Sequence, residues 1–193
     1  MRTARSTFDE RKAAEAAAFF LYRAGGRLSV LKLVKLLYLA ERLSLERYGD
    51  ALTGDCLVSM PHGPVLSTTL NHIDGLVMSA PGGWDSWIST RENHDVALAD
   101  PGMIRTPEQD LRHLSESDLE VLDEVWKRFG HMEKWSLRDY THEHLPEWRN
   151  PEGSCLPISY RDVFEAFGLS SDVVDAMVER LEAQRFITSE LPV

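Results

Sequence analysis

Apolar residues recur three and four positions apart over much of this chain, the spacing of a helix with one buried face. After a short basic tail with Arg2 and Arg5, Asp9 and Glu10 place negative charge where a helix begins, and an alanine-rich run carries it to Ala24. Gly25 and Gly26 end it. A second helix is predicted from Ser29, a suitable N-cap, to Tyr48, with Gly49 at the left-handed position that closes many helices. It carries Leu33, Val34, Leu36, Leu37, Tyr38, Leu39, Leu43 and Leu45, and its polar stripe of Lys32, Lys35, Arg42 and Glu46 is expected to face water. A carboxylate at Asp50 or Asp55 is the other reading for Lys35.

From residue 51 to 99 the periodicity breaks down. Residues 55–60 read as a short strand, 61–64 as a turn and 66–75 as a short helix. Segments 84–90 and 94–99 are predicted to form a β-hairpin around Arg91, Glu92 and Asn93, the only sheet expected. After a polar connector, Ser117 with Glu120 predicts a capping box for a helix buried through Leu122, Val125, Trp126 and Phe129. Ser136 with Asp139 predicts a shorter helix that must end before Pro146. Ser159 with Asp162, and then Ser171, predict a closing pair of helices over 157–193. The pattern implies a mainly α, compact helical domain around a central apolar helix with a small β-hairpin element, and the 193 residues are expected to form a single domain.

Charge and cysteine usage narrow the function. Acidic residues outnumber basic ones 31 to 21, which disfavours a polyanionic partner and makes direct nucleic-acid binding unlikely. Cys56 and Cys155 lack metal-ligand spacing, no secretory signal is evident, and no uncharged run is long enough to span a bilayer, so a cytoplasmic protein with no membrane association is expected.

Catalytic signatures are weak. No Gly-x-Ser-x-Gly elbow, phosphate-binding glycine loop or dinucleotide fingerprint occurs. His142, Glu143 and His144 beside Asp139 form the one local cluster that suggests a metal-dependent hydrolase, but residues two apart on a helix point about 200° apart. No metal and no cofactor are expected, and His142 is read as capping a helix end, with Trp148 as an anchor. The 159–184 pair has the outline of a helix-turn-helix DNA-binding autoregulator, yet its second helix carries Asp172, Asp175, Glu179 and Glu182 against Arg180 and Arg185. A packed hairpin burying Phe164, Phe167, Val174, Met177 and Leu181 explains it without DNA.

Three segments in order carry a family resemblance: Lys32 to Tyr38; Leu52-Thr53-Gly54-Asp55 followed by His62-Gly63-Pro64-Val65; and Leu137-Arg138-Asp139-Tyr140-Thr141-His142 continuing to Pro146 and Trp148. Together they resemble the Panacea, or SocA-like, domain of type II toxin–antitoxin systems of bacteria and phages, with the match strongest over 10–148. The resemblance implies an antitoxin, not an enzyme, that neutralises a cognate toxin protein encoded nearby by direct protein–protein binding, with a cellular protease as a further candidate partner. Candidate toxin-binding residues are Met60, His62, Gly63 and Pro64 in a rigid turn, with Trp84 and Trp87 as aromatic anchors; the other reading for these tryptophans is the core, which they more often fill in a domain of this size. Lys35, Leu36, Leu37, Tyr38, Gly54, Asp55, Thr141, His142, Pro146 and Trp148 are read as structural residues of the family motif.

Overall fold

In the computed structural model, residues 8–190 are described, without the side chains of residues 185 and 188–190; Arg2 and Arg5 lie outside that span. The elements in order are α1 (Glu10–Arg23), β1 (Arg27–Ser29), α2 (Val30–Tyr48), β2 (Leu57–Met60), β3 (Gly63–Leu66), α3 (Ser67–Ile73), α4 (Trp84–Trp87), β4 (Asp95–Ala97), α5 (Pro107–Asp110), α6 (Glu116–Phe129), α7 (Lys134–Glu143), β5 (Leu156–Ile158), α8 (Tyr160–Ala166) and α9 (Ser171–Glu190). The fold is mainly α, with two small antiparallel sheets.

The first two helices begin and end as their sequence dictates. Asp9 accepts from the Lys12 amide at the start of α1, and Ser29 does the same for Lys32 at the start of α2. Gly49 closes α2 at φ 66°, a conformation that costs glycine little. Between these ends Leu33, Leu36, Leu37, Tyr38 and Leu45 are buried, and α2 packs against α1, α6, α7 and β3. Among the described residues no helix is long and apolar enough to cross a membrane.

Two expected helix starts move. The capping box of α6 is Ser115 with Asp118, not Ser117 with Glu120, because the Ser115 hydroxyl reaches the Asp118 amide and the Asp118 carboxylate reaches back. α7 is capped by Glu133, which accepts from the Trp135 amide, so it begins two residues before Ser136.

The sheets depart furthest from expectation. Residues 84–90 do not form a strand. The Glu10 carboxylate accepts from the Trp84 and Ala80 amides and the Ser79 hydroxyl, fixing the turn from which α4 starts. β4 pairs with β1, in the register Leu28 opposite Val96, and of the expected hairpin there remain the isolated bridges Ile88–Leu98 and Glu92–Asp95, with backbone bonds from the Ser89 amide to the Ala97 carbonyl and from the Ala99 amide to the Trp87 carbonyl. The Asn93 turn is present, at φ 58°. The second sheet has order β3-β2-β5: a tight hairpin through Pro61 and His62 joins β2 to β3, and β5 lies on the other edge of β2. α8 and α9 then pack together, burying Val163, Phe164, Val174 and Leu181, with Phe167 and Met177 partly buried against the same core.

Candidate functional site

The family-motif residues meet around the β2–β3 hairpin. Lys35, one turn into α2, is fully buried, and its Nζ donates to the Pro64 carbonyl at 2.8 Å. It does not belong to a solvated stripe. Lys32 donates to the Gly130 carbonyl at 2.6 Å, and Arg42 binds the buried Glu147 at 2.7 Å, so the three basic residues of the expected polar stripe are drawn inward while Glu46 stays exposed. Nor does Asp55 pair with Lys35. Its carboxylate accepts from the amides of Cys56, Thr68 and Thr69 and holds the start of α3.

Burial holds the Lys35 amine near pKa 7, against an ordinary 10.5. Below pH 7 the amine is charged whether the chain is folded or not, and the full cost of burying it applies. Between 7 and 10.5 the unfolded chain keeps a proton that the folded one has released, so stability rises with pH. Lys35→Met removes this dependence; between pH 7 and 9 the wild type is expected to gain about 2–3 kcal/mol relative to that variant in urea unfolding. A constant difference would contradict the assignment.

Gly63 makes the close approach possible. It sits at φ 94°, and a Cβ there would lie 2.7 Å from Thr141 Oγ1, 2.8 Å from Lys35 Nζ and 3.1 Å from His142 Cδ2. Thr141 is itself fixed by a bond to the Arg138 carbonyl. His142 stacks on Trp148 with ring centres 4.1 Å apart, and the Trp148 indole donates to the Met60 carbonyl, so the hairpin is tied to the segment after α7. His142 does not cap α7. That place belongs to His144, whose Nδ1 lies 3.2 Å from the Tyr140 carbonyl and whose ring stacks on Tyr140. Burial, then the nearby Lys35 and Arg138 charges, hold the His142 imidazole below its usual pKa.

His142 and His144 are therefore engaged with different aromatic partners and do not converge. Among the described residues no group of three His, Cys, Asp or Glu side chains is placed to hold a metal ion. On the other side of α2, Glu41 is buried and gathers the Thr53 amide, the Thr53 hydroxyl and the Gly54 amide. Burial pushes its carboxyl up to about 7 despite those donors. Gly54, at φ 68°, makes the turn that presents Asp55 to α3. Pro146 is exposed beyond the helix end.

The hairpin also forms one wall of a groove of about 430 Å³. The first turns of α2 contribute Val30, Leu31, Val34 and Lys35; the hairpin contributes Met60, Pro61, His62, Gly63 and Val65; Leu70, Arg91, His94, Lys134 and Trp135 complete it. Of the candidate contact residues, Met60, His62 and Gly63 line the groove, and Pro64 lies behind it as the acceptor for Lys35. His62 is exposed, whereas Gly63 and Pro64 are buried.

Trp84 and Trp87 do not line it. Trp84 is buried, with its ring stacked on His72, and Trp87 is partly buried against the core, so neither stands out from the surface as an anchor. The exposed aromatic residue that lines the groove is Trp135, 47% exposed, with Lys134 and Arg138 over its ring. Sequence reasoning missed it because a helix beginning at Ser136 leaves Trp135 outside. With the helix starting at Lys134, Trp135 lies about 200° round from the buried Leu137 and so off the core face.

On α9, Asp172, Asp175, Glu179 and Glu182 are exposed, with Asp175 paired to Arg161 and Arg180 to Asp50. This face presents carboxylates where a groove-reading helix would meet phosphates.

No curated protein and no solved structure matches the chain. A family profile does: residues 33–149 match the antitoxin SocA-like Panacea domain. The matched span begins inside α2, so α1 lies outside it, as do β5, α8 and α9. It takes in Lys35, the hairpin, His142 and Trp148, and covers well over half of the sequence. The chain belongs to the antitoxin SocA-like Panacea domain family.

Proposed function

We propose that this protein is an antitoxin that neutralises a cognate toxin, encoded nearby, by binding it directly, and that the groove between α2, the β2–β3 hairpin and α7 is the anchor of that contact. Membership of the family supports a toxin partner in general. The observation that carries the placement is that the motif-bearing hairpin is itself a wall of an open apolar groove whose lip bears the exposed Trp135. Tryptophan at the edge of a pocket is a common energetic anchor of protein interfaces.

A groove of about 430 Å³ receives a few side chains. A stable complex buries on the order of 1,600 Å² in total, so the surrounding surface, including the exposed His62, contributes the remainder. The reading takes 1–193 as one domain arranged around α2, working in the cytoplasm without cofactor, metal or catalytic step. Transfer of the bound toxin to a protease is compatible with it.

Co-expression with the adjacent reading frame tests the proposal. The toxin should co-purify with the wild type and with Glu182→Lys on the far α9 face. Trp135→Ala, a change at a half-exposed position, should weaken the complex by about tenfold or more while leaving the fold intact. Full retention of the complex in Trp135→Ala and in Met60→Glu would move the interface elsewhere.

A further inference from the structure

The chemistry of the groove wall narrows what it receives. Its interior is apolar, yet every ionisable side chain that lines it is basic or a histidine; no aspartate or glutamate is among them. This occurs in a chain with formal charge −10. The Arg91 charge is answered by Asp74. Lys134 has no ion pair among the described residues, and its Nζ lies 5.6 Å from the centre of the Trp135 ring. Lys35 fills one acceptor, the Pro64 carbonyl, although an ammonium offers three donors. A fully buried amine with no carboxylate beside it is costly in its charged form, and an acid brought into the groove offsets that cost.

Building on the docking role of the groove, we propose that it binds a peptide segment of the toxin that combines leucine-like side chains with a carboxylate. The apolar side chain seats against Val34 and Trp135. The carboxylate meets Lys134 at the rim and is joined there by Lys35, which turns away from Pro64 on its flexible four-carbon stem. A nucleic acid does not suit the same wall: it needs an extended basic surface, whereas the basic side chains here are confined to one groove with an apolar interior.

The test is fluorescence anisotropy on the intact protein with two labelled octapeptides, one alternating leucine with glutamate and one with glutamine in place of each glutamate. The glutamate peptide should saturate, bind about tenfold or more tighter than its isostere, and weaken with added salt. Lys134→Glu, on the surface of α7, should abolish the preference and favour a leucine–lysine peptide. Lys35→Met should weaken the glutamate peptide alone.

Equal affinity for the two peptides, or no saturable binding of either, overturns the proposal. If the peptides fail but the toxin still co-purifies and is lost with Trp135→Ala, the carboxylate assignment falls and the docking site stands. If the peptides behave as expected and the toxin does not co-purify, the docking role falls, and with it the identification of the segment as toxin.

Discussion

Alanine at Gly63 is expected to cost about 3–5 kcal/mol of stability, several times the cost of the same change at Gly153. Both glycines hold a positive φ, 94° and 88° respectively, so both substitutions carry backbone strain of about 1–2 kcal/mol. They differ in surroundings. A Cβ at Gly153 meets nothing within 4 Å, whereas at Gly63 it meets Thr141 Oγ1 and Lys35 Nζ at under 3 Å. Thr141 is held by the Arg138 carbonyl, and Lys35 gives way only by releasing Pro64. Urea unfolding of the two variants, with unchanged denaturant slopes, checks the difference. Equal losses would mean that the crowding at Gly63 relaxes at no cost.

The second large effect is expected at Glu147. Its side chain is fully buried, and one carboxylate oxygen accepts from both the Tyr38 hydroxyl, at 3.2 Å, and Arg42 Nε, at 2.7 Å. Burial first, and then this neighbouring carboxylate, push the Tyr38 hydroxyl well above its ordinary pKa, so it stays a donor. Glu147→Ala strands a buried hydroxyl and a largely buried guanidinium, and breaking such a pair from one side costs about 3–5 kcal/mol. Part of the Arg42 charge can lean on Glu46, 4.0 Å away, which sets the loss toward the lower end. Tyr38→Phe alone should cost about 1 kcal/mol, and in the Glu147→Ala background almost nothing, because the hydroxyl then has no partner to lose. Additive losses would show that the two groups do not interact.

Both effects concern residues whose importance is visible only in part from the chain itself. The helix ends at Asp9, Ser29, Gly49 and Ser159 were legible because each cap is a local contact, closed within three or four residues. What distant residues decide was not legible. Glu10 organises the α4 turn across some 70 positions and so removes the strand expected at 84–90. β1 and β5 are three residues each, too short to show an alternation, and acquire their identity from β4 and β2.

The same distinction separates the candidate site residues. The inflexible turn at Met60, His62 and Gly63 was legible from the His-Gly-Pro sequence, and the structure places it along the groove. Trp84 is open between anchor and core in the sequence because an exposed and a buried tryptophan look alike there; the stacking on His72 and the Glu10 cap place it in the core. Lys35 stood in a row with Lys32 and Arg42 on the helix wheel, yet each is drawn inward by an acceptor at least 29 positions away. The helix period gives direction but not what waits in that direction.

The central claim is stoichiometric neutralisation by binding, and calorimetric titration of the purified protein into the purified product of the adjacent reading frame measures it most directly. An antitoxin that works by occupancy has to match its target in number. The account predicts a sharp equivalence point at a simple molar ratio, nanomolar affinity worth about −12 kcal/mol, and toxin activity that disappears at the same ratio. The opposite result is loss of toxin activity at a small fraction of an equivalent with no heat of complex formation. That would contradict binding as the mechanism and point to catalysis on the toxin.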